Sequence, residues 1–489
     1  MKVVIVGAGF GGVAAAIELR RHGFDDVTIL ERAPEVGGTW WYNTYPGCVC
    51  DVPSYLYSFS FAQRRDWSRM CSPHDEILAY LQGVARDHGV EPLVEPNTDV
   101  TAVNWDEDSR RWTVSSADGR SWDADTVIVA TGQLHKPAIP KIEGTDEFPG
   151  HSFHSSRWDH DYDLHGKRVA VVGTGASAIQ FIPHVAQEAA KLDVFQRTGN
   201  WFMARKNHEY PEWFKNLLQR IPVLQTLRRK YIYNYAESIT LMIRHPRTWG
   251  RVGWLLSSAF MRSQLKDPEV RKKAWPDYTF GCKRILFSSE FLPALQLPNV
   301  ELITDRIARV TEKGIVTADG AERQVDCIIY ATGFRTTKFM LPMEISGAGG
   351  RSLREAWTDG PHAHLGIAVP GFPSLFLMYG PNTNTSGGSI IFYEETQAAY
   401  IRQALQQVRA RGAAAIEVRE SVEAASDREL QARFAGTAWL ECDSWYRDRT
   451  GRIVTNWPGY MREYEDRLRT LDPNEYELIP ASERESVAA

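Results

Sequence analysis

Glycines near the N-terminus have the spacing of a loop that binds a dinucleotide. Gly7, Gly9 and Gly12 form a GxGxxG pattern, and Glu31 follows the last of them by 19 residues. In such a loop the first glycine allows a tight turn, the second lets the backbone approach a pyrophosphate, and the third lets a helix pack on a strand. The acid accepts hydrogen bonds from a ribose diol. This site is predicted to hold FAD or NAD.

A second loop of the same kind begins 166 residues later, with the sequence Gly173-Thr174-Gly175-Ala176-Ser177-Ala178. Its third glycine position holds Ala178, which the motif tolerates. The residue 19 positions further on is Arg197 rather than an acid, and Thr198 lies beside it. Because an arginine pairs with a 2′-phosphate, the second site is predicted to bind NADP(H).

The hydrophobic pattern indicates which elements position the two loops. Short apolar runs rich in β-branched residues predict buried parallel strands at 2–6, 27–30, 126–130, 168–172, 192–195, 327–330 and 375–378. Two of these runs end in Ala-Thr-Gly, which is typical of a crossing between nucleotide domains. Residues 210–265 have helical periodicity, and further helices are predicted at 394–411 and 426–435, joined by a short connection. The fold class is therefore α/β.

Composition limits the kinds of partner. The chain has 489 residues, 43% of them hydrophobic and 24% charged, and a net charge of −5, which indicates a globular protein and no nucleic-acid partner. No stretch reaches 18 uncharged apolar residues, so no membrane span is expected. Six cysteines are too few for a disulfide framework, and no CxxC pair or other spacing indicates a metal site. We expect a cytoplasmic protein with reduced cysteines and no metal.

Two longer motifs surround the glycine loops. The pattern FxGxxxHxxxW(P/D) is present as Phe148–Asp159, and GGxWxxxxYPGxxxD is present as Gly37–Asp51. With these motifs and this order of parts, the chain resembles the class B flavoprotein monooxygenases, and in particular the Baeyer–Villiger monooxygenase family. Residues 52–61 and 281–284 are most similar to its 4-hydroxyacetophenone monooxygenase-like branch.

The resemblance implies a two-dinucleotide-binding flavoprotein architecture with FAD and NADPH/NADP⁺ as cofactors. Two Rossmann-type domains are expected, one for FAD at 1–145 and 335–489 and one for NADP at 146–334, with a helical insertion at about 208–275. The small-molecule partners implied are O2 and a ketone. The sequence leaves the identity of the ketone and the oligomeric state open.

The family's chemistry implies roles for three residues. NADPH reduces FAD, the reduced flavin captures O2, and a C4a-peroxyflavin attacks a ketone to give an ester or lactone. The negative charge on the peroxide and on the adduct needs a fixed cation, which arginine supplies because it does not deprotonate. Arg284 matches the catalytic arginine, Asp51 matches the carboxylate that positions it, and Lys283 matches a residue that joins Arg197 on the 2′-phosphate.

The remaining site residues also follow from the resemblance. Those expected at FAD are Gly7, Gly9, Gly12, Glu31, Gly38, Thr39, Trp40, Asp51, Tyr57 and Ile390. Those expected at NADP are Gln133, Gly173, Thr174, Gly175, Ser177, Arg197, Thr198 and Lys283. The family motif contributes Phe148, Gly150, His154 and Trp158. His154 and Trp158 are four residues apart and would share one face of a helix, and a conformational role is favoured for His154 over an acid–base role.

Three alternative functions remain open. A heteroatom-oxygenating flavin monooxygenase oxidises nitrogen or sulfur, and members of that group lack the tryptophan at position 158. A disulfide oxidoreductase needs a redox cysteine pair, but Cys48 and Cys50 have CxC spacing and are interpreted as two buried thiols. A non-catalytic NADP(H)-binding redox sensor would require the loss of Arg284 or Asp51, and both are present.

Small residues near the expected flavin position bear on substrate size. Gly387 and Gly388 stand where relatives in the acetophenone branch carry larger polar residues, close to Ile390. We expect them to enlarge the pocket, so that bulky aryl or polycyclic ketones are accepted. The insertion is expected to line the substrate entrance rather than contact a membrane. Tryptophans in or near it (Trp201, Trp213, Trp249, Trp254 and Trp275) suggest an apolar, aromatic substrate.

Overall fold

The computed structural model describes residues 1–205, 207–340, 342–385 and 387–481. The strands in these ranges are β1 Val3–Val6, β2 Val27–Leu30, β3 Val94–Glu95, β4 Val100–Asp106, β5 Arg111–Ser116, β6 Ser121–Ala124, β7 Thr126–Val129, β8 His151–His154, β9 Arg168–Val172, β10 Lys191–Phe195, β11 Phe202–Met203, β12 Leu286–Phe287, β13 Val300–Ile303, β14 Ile307–Thr311, β15 Gly314–Thr317, β16 Glu322–Gln324, β17 Cys327–Tyr330, β18 Glu344–Ser346, β19 Leu375–Leu377, β20 Ala413–Val418 and β21 Tyr476–Pro480. The helices are α1 Phe10–Arg21, α2 Thr39–Tyr42, α3 His74–Asp87, α4 Ala178–Glu188, α5 Glu212–Arg220, α6 Pro222–Arg244, α7 Trp249–Gln264, α8 Pro268–Ala274, α9 Phe291–Ala294, α10 Leu353–Ala356, α11 Ile390–Ala410, α12 Glu420–Ala432 and α13 Met461–Leu468.

A five-stranded parallel sheet in the order β19-β7-β1-β2-β3 carries the first glycine loop. All four residues of its central strand β1 are buried, and Val3 stands opposite Val27 of β2 and Thr126 of β7. Val3 and Ile5 pack in one core cluster with α1, and Val4 and Val6 pack in another with β4 and β5. Both faces of β1 are therefore covered, which explains the uninterrupted run Val3–Val6. The edge strand β19 lies more than 200 residues after the other strands in sequence. Segments from distant parts of the chain therefore build this sheet.

The second glycine loop belongs to another five-stranded parallel sheet, in the order β13-β10-β9-β17-β8. Its strands all come from residues 151–330, and β9 pairs with β10 and β17 in register.

All seven strands predicted from the apolar runs are present to within one residue at each end. The α/β fold class is confirmed. The domain boundaries at residues 145 and 335 stay predictions, and the last eight residues of the proposed FAD-binding domain, 482–489, lie outside the described residues.

Smaller sheets flank the two parallel ones. Strands β18-β4-β5-β6 form one sheet, β14-β15-β16 form another, and β20 pairs with β21. The predicted helices at 394–411 and 426–435 correspond to α11 and α12, but the prediction that only a short connection joins them is wrong. Strand β20 lies between them. Its first residues, Ala413–Ala415, are small and give no alternating hydrophobic signal.

Helices α5 to α8 lie in the range predicted for the helical insertion. One face of α6 is buried through Ile232, Ala236, Ile239 and Ile243, the spacing of an amphipathic helix. Three tryptophans of the insertion are exposed, Trp213, Trp249 and Trp254, whereas Trp201 and Trp275 pack edge to face on each other. No helix within the described ranges is long and apolar enough to cross a membrane.

A disulfide joins Cys282 to Cys442 across 160 residues of sequence. The expectation that all cysteines are reduced is therefore wrong at this pair. Sequence spacing carried no signal for it, because the fold alone brings the two segments together. Cys48, Cys50, Cys71 and Cys327 are free, buried thiols.

Candidate active site

A cavity of about 360 Å³ lies between the two glycine loops. The predicted residues that line it are Gly7, Gly9, Glu31, Gly38, Thr39, Trp40, Asp51, Tyr57, Gln133, Ser177, Arg284 and Ile390. Other predicted residues lie outside its wall: Gly12, Phe148, Gly150, His154, Trp158, Gly173, Thr174, Gly175, Arg197, Thr198 and Lys283. The five tryptophans in or near the insertion are also outside the described wall, so they give no support to an aromatic substrate.

Two glycines of the first loop occupy positions that no other residue fits. Gly7 has φ +109°, and a Cβ atom on it would lie 2.6 Å from the carbonyl oxygen of Ala130. A Cβ on Gly12 would lie 1.9 Å from the carbonyl oxygen of Gly7. The tight turn and the close approach of α1 to β1 therefore both require glycine.

The cavity next to this loop fits a dinucleotide. A Cβ atom on Gly38 would lie 2.8 Å from the Cα of Gly9, so a narrow cradle of bare backbone forms here. Glu31 is buried at the end of β2, where its carboxylate accepts hydrogen bonds from the N–H groups of Ala8 at 2.6 Å and Ala33 at 2.7 Å. Each carboxylate oxygen keeps a further lone pair that a ribose hydroxyl could use.

Aromatic side chains form another part of the wall. The indole N–H of Trp40 donates a hydrogen bond to the hydroxyl of Tyr57 at 3.1 Å, and the ring of Phe10 meets the Tyr57 ring edge to face. Burial raises the pKa of Tyr57 well above its ordinary value, so this hydroxyl stays neutral. Ile390, at the start of α11, lines the same cavity.

The second loop repeats the geometry of the first. Gly173 also has φ +109°, and a Cβ on it would lie 2.5 Å from the carbonyl oxygen of Ala331. A Cβ on Gly175 would have open space around it within 4 Å among the described residues, which leaves room for a phosphate group. Asn200 donates a hydrogen bond to the carbonyl oxygen of Thr174 at 2.9 Å and so braces the loop.

The residues predicted to bind a 2′-phosphate form a cationic cluster beyond this loop. Arg197 is exposed and Thr198 is half-buried at the end of β10. The Lys283 ammonium lies 4.6 Å from the centre of the Tyr278 ring. Burial, and after it the positive charge of Arg197, lowers the pKa of Lys283. Because the two cations repel each other, an anion between them would be strongly favoured.

Arg284 and Asp51 meet at the cavity wall as a bidentate ion pair. The guanidinium Nε donates to Oδ2 at 3.1 Å, and Nη2 donates to Oδ1 at 2.8 Å and to Oδ2 at 2.7 Å. About a third of the Arg284 side chain is exposed (32%). The charge of Asp51 raises the pKa of Arg284, so the guanidinium stays charged at every accessible pH.

The chain around Arg284 is anchored on both sides. Cys282 carries the disulfide, and β12, which begins two residues after Arg284, pairs with β11. Gly281 before them has φ +87°, and a Cβ there would lie 2.8 Å from the side chain of Ile243. The guanidinium is therefore held by covalent, sheet and packing contacts as well as by Asp51.

The family motif lies at the edge of the second sheet and differs from the predicted helix. His154 ends β8, residues 155–157 form a single 3-10 turn, and Trp158 is extended, so a shared helical face for His154 and Trp158 is wrong. The Trp158 ring instead packs on Phe153 and Phe181 at 5.1 Å. β-strand pairing with β17 overrides the i, i+4 spacing.

Buried hydrogen bonds fix His154 next to the Ala-Thr-Gly segment after β17. Its Nδ1 accepts from the Ser156 N–H at 3.2 Å, and its Nε2 lies 3.0 Å from the carbonyl oxygen of Gly333, to which Nε2–H donates. Burial lowers the pKa of His154 to about 4, so the imidazole is neutral near pH 7. These contacts connect two parts of the second domain.

The spacing of Phe148 and Gly150 has a packing reason. A Cβ on Gly150 would lie 2.4 Å from the Phe148 ring and 2.7 Å from the carbonyl oxygen of Asp326. The ring therefore folds back onto bare backbone where β8 enters the sheet.

Two polar residues of the cavity wall differ in whether the sequence predicted them: Gln133 was predicted and Glu394 was not. The Gln133 amide donates to the carbonyl oxygens of Tyr379 at 3.1 Å and Gly380 at 3.3 Å, while its own Oε1 is buried without a hydrogen-bond partner among the described residues. Glu394 is a buried carboxyl in the cavity wall that the sequence did not single out. An acid in an otherwise apolar stretch of helix could have indicated a functional carboxyl. This signal is weak, because a second acid, Glu395, follows directly.

Gly387 is not a source of extra cavity space. A Cβ on it would lie 2.8 Å from the carbonyl oxygen of Ala236 and 2.9 Å from Cβ of Ile239, so α6 fills the space beside it. A Cβ on Gly388 would lie 2.3 Å from the sulfur of Met461. The expectation that the two glycines enlarge the pocket is wrong, since they allow close packing instead.

The buried thiols do not suit disulfide exchange. Burial raises the pKa of Cys48 to about 12 and raises that of Cys50 well above its ordinary value. Attack on a disulfide requires a thiolate, so neither cysteine is a competent nucleophile near pH 7.

Comparison with known proteins identifies the family. A family model described as pyridine nucleotide-disulphide oxidoreductase matches residues 4–239. Baeyer–Villiger monooxygenases of Streptomyces coelicolor and Pseudomonas aeruginosa are each 40% identical to this chain over 98% of its length, covering 93% and 91% of their own lengths. The chain belongs to the Baeyer–Villiger monooxygenase family.

Solved structures agree with this family at the level of the fold. The monooxygenase is similar to the closed structure of cyclohexanone monooxygenase, with a TM-score of 0.89 and 26% identity, and to OTEMO in complex with FAD and NADP, with a TM-score of 0.88 and 28% identity. Each comparison covers 98% of this chain and 99% of the other. The predicted family, enzyme class and cofactors are confirmed, whereas the 4-hydroxyacetophenone branch stays a prediction.

Proposed function

We propose that the cavity between the two glycine loops is the site at which this monooxygenase inserts one oxygen atom of O2 next to a ketone carbonyl, giving an ester or lactone. The single observation that carries this proposal is the Arg284–Asp51 pair, since it places a fixed cation in a wall shared by residues of both loops.

FAD occupies the part of the cavity next to the first loop. Gly9 and Gly38 provide a backbone cradle for its pyrophosphate, Glu31 accepts hydrogen bonds from its ribose, and Trp40 and Tyr57 support the wall. When bound, FAD accepts a hydride from NADPH and activates O2. The chain's own residues bind and orient both cofactors.

Arg284 stabilises the negative charge that develops when the ketone carbonyl is attacked. Its charge does not depend on pH, because Asp51 and the intrinsic basicity of guanidinium keep it protonated. Asp51 takes Nε and Nη2, which leaves Nη1 outside the ion pair and fixes the plane of the guanidinium. A cation oriented beforehand costs no reorganisation when charge appears.

NADP(H) lies across the second loop. Arg197, Thr198 and Lys283 bind the 2′-phosphate, Ser177 faces the cavity from the loop, and Gln133 lies where the nicotinamide end reaches the wall. Oε1 of Gln133 is a buried acceptor without a partner among the described residues, and the carboxamide N–H of a nicotinamide would supply the missing donor.

The substrate is an apolar ketone, aryl or polycyclic. Support comes from apolar residues in the cavity wall, among them Ile390, Met343 and Val52. Helix α6 of the insertion packs against Gly387, just before α11. The cytoplasmic location stays a prediction.

An isotope experiment tests the function directly. The holoenzyme is supplied with NADPH, ¹⁸O2 and a panel of cyclic, aryl and polycyclic ketones, and the products are analysed by mass spectrometry. We expect an ester or lactone that is heavier than its unlabelled form by one ¹⁸O atom, with one NADPH consumed per product. Oxidation of thioethers or amines without any ester from the ketone panel would show that the alternative heteroatom oxygenase is correct.

A further inference from the structure

A buried carboxyl group faces the cofactor cavity and takes no part in the proposed chemistry. Glu394 lies in the second turn of α11, lines the cavity and is only 7% exposed. Its Oε2 atom has no hydrogen-bond partner among the described residues. A buried polar atom without a partner costs free energy, so such an atom in a ligand cavity indicates that the ligand supplies the partner.

The position of the carboxyl relative to the first glycine loop indicates which ligand this is. Oε1 lies 3.0 Å from the place of a Cβ atom on Gly11, so the group rests against the first turn of α1. A side chain at position 11 would crowd the Glu394 carboxyl out of this place. The N-terminal turn of a helix after a GxGxxG loop is where the pyrophosphate of a dinucleotide binds. Glu394 therefore faces the same region as FAD.

A charged carboxylate would be unfavourable at this position. Burial, and after it the negative charge of Glu395, raises the pKa of Glu394 to about 8. Tyr57 and Tyr379, which line the same cavity and interact electrostatically with Glu394, are held neutral by burial. Gly11, which lies against the carboxyl on α1, and Met378, which lies beside Gly11 just after β19, carry no charge. A neutral acid can donate one hydrogen bond, whereas a carboxylate can only accept.

We propose that Glu394 is an FAD-binding residue that stays protonated and donates its carboxyl O–H to an oxygen atom of FAD next to the first turn of α1. Binding of FAD therefore takes up a proton from solvent whenever Glu394 is ionised in the free protein. This inference rests on the proposed assignment of the cavity to FAD. The Glu394 carboxyl thereby adds a neutral hydrogen-bond donor to a site that the glycine loops build from backbone alone.

The affinity for FAD and the protons taken up on binding test the proposal. Release of FAD from the full-length holoenzyme is followed by flavin fluorescence between pH 6 and 9.5, and FAD is titrated into the deflavinated full-length chain by calorimetry in buffers of different ionisation enthalpy. The wild-type dissociation constant is expected to rise above about pH 8, approaching tenfold per pH unit, with proton uptake growing over the same range.

Three variants separate donation from packing. Glu394→Gln keeps an N–H donor and cannot ionise, so its dissociation constant is expected to be independent of pH and its proton uptake to vanish. Glu394→Leu removes the donor and is expected to bind FAD about three- to tenfold more weakly at pH 6.5. Glu395→Gln is the matched control, because Glu395 hydrogen-bonds Ser60 at 2.8 Å and lies outside the described cavity wall. It should keep the pH dependence, with a midpoint moved to lower pH.

Two results would overturn the inference: the same pH dependence and proton uptake in Glu394→Gln as in the wild type, or wild-type FAD affinity in Glu394→Leu. Failure of the wild-type chain to bind one FAD at any pH would instead refute the assignment of the cavity. The two failures are thereby distinguishable.

Discussion

Arg284 and Arg197 carry the same charge in different surroundings. Arg284 is locked to Asp51 through two nitrogens, which fixes its orientation at the cavity wall. Arg197 is exposed, and its charge lowers the pKa of the neighbouring Lys283. A fixed cation suits charge that appears during a reaction, whereas two cations that repel each other suit an anion already present on the ligand. The two sites therefore differ in purpose although both use arginine.

Individual residues are expected to decide whether the enzyme uses NADPH or NADH. Arg197→Gln and Lys283→Gln are each expected to raise the KM for NADPH about 10- to 100-fold, because each removes a charge-assisted contact to the 2′-phosphate. The KM for NADH should change little, since NADH lacks this phosphate. The rate at which flavin absorbance is lost under anaerobic conditions, recorded at several nucleotide concentrations, gives the KM for NADPH and for NADH. Lys313→Gln, at an exposed turn between β14 and β15, is the control.

At the scale of elements, the segment from Gly281 to Phe287 carries residues proposed for both nucleotide sites. Lys283 is proposed for the NADP site and Arg284 for the reaction centre, and the disulfide to Cys442 ties the start of the segment to the C-terminal region. A shift of this segment would therefore move both cations at once. The disulfide closes a loop of 160 residues, the kind of long loop for which a cross-link restricts the unfolded chain most.

Removal of the disulfide is expected to weaken both stability and coupling. The double variant Cys282→Ala/Cys442→Ala should lose about 2–4 kcal/mol of unfolding free energy. It should also form less ester per NADPH consumed, because Arg284 is no longer held. Calorimetry and product analysis measure these effects. Dithiothreitol should reproduce them in the wild type and leave the double variant unchanged; an unchanged melting temperature in both experiments would show that the bond contributes no stability.

At the scale of the whole molecule, the parallel strands and the glycine loops could be predicted because they depend on local patterns. The run Val3–Val6 and the spacing of Gly7, Gly9 and Gly12 each require only neighbouring residues. Features that depend on the fold could not be predicted. The Cys282–Cys442 bond, the packing of α6 on Gly387 and the buried carboxyl of Glu394 arise between segments far apart in the chain.

The motif residues also divide into features that local patterns predict and features that depend on the fold. The spacing of His154 and Trp158 would put them on one face if the segment were helical, but β8 pairs with β17 and leaves only a 3-10 turn between them. The resemblance implied that Asp51 positions Arg284, and the structure places the two side chains in bidentate contact. Local patterns could not have predicted this contact, because the two positions lie 233 residues apart. The catalytic roles of these residues remain proposals that kinetics must test.

The most direct test of the central claim is a rapid-reaction comparison of the wild type with Arg284→Ala and Arg284→Lys. Each enzyme is mixed anaerobically with NADPH to record flavin reduction, and then with O2 and a ketone to record ester formation. Both variants are expected to reduce the flavin at nearly the wild-type rate, while Arg284→Ala forms ester at least about 100-fold more slowly and Arg284→Lys recovers part of the rate. Ester formation by Arg284→Ala at the wild-type rate would contradict the account.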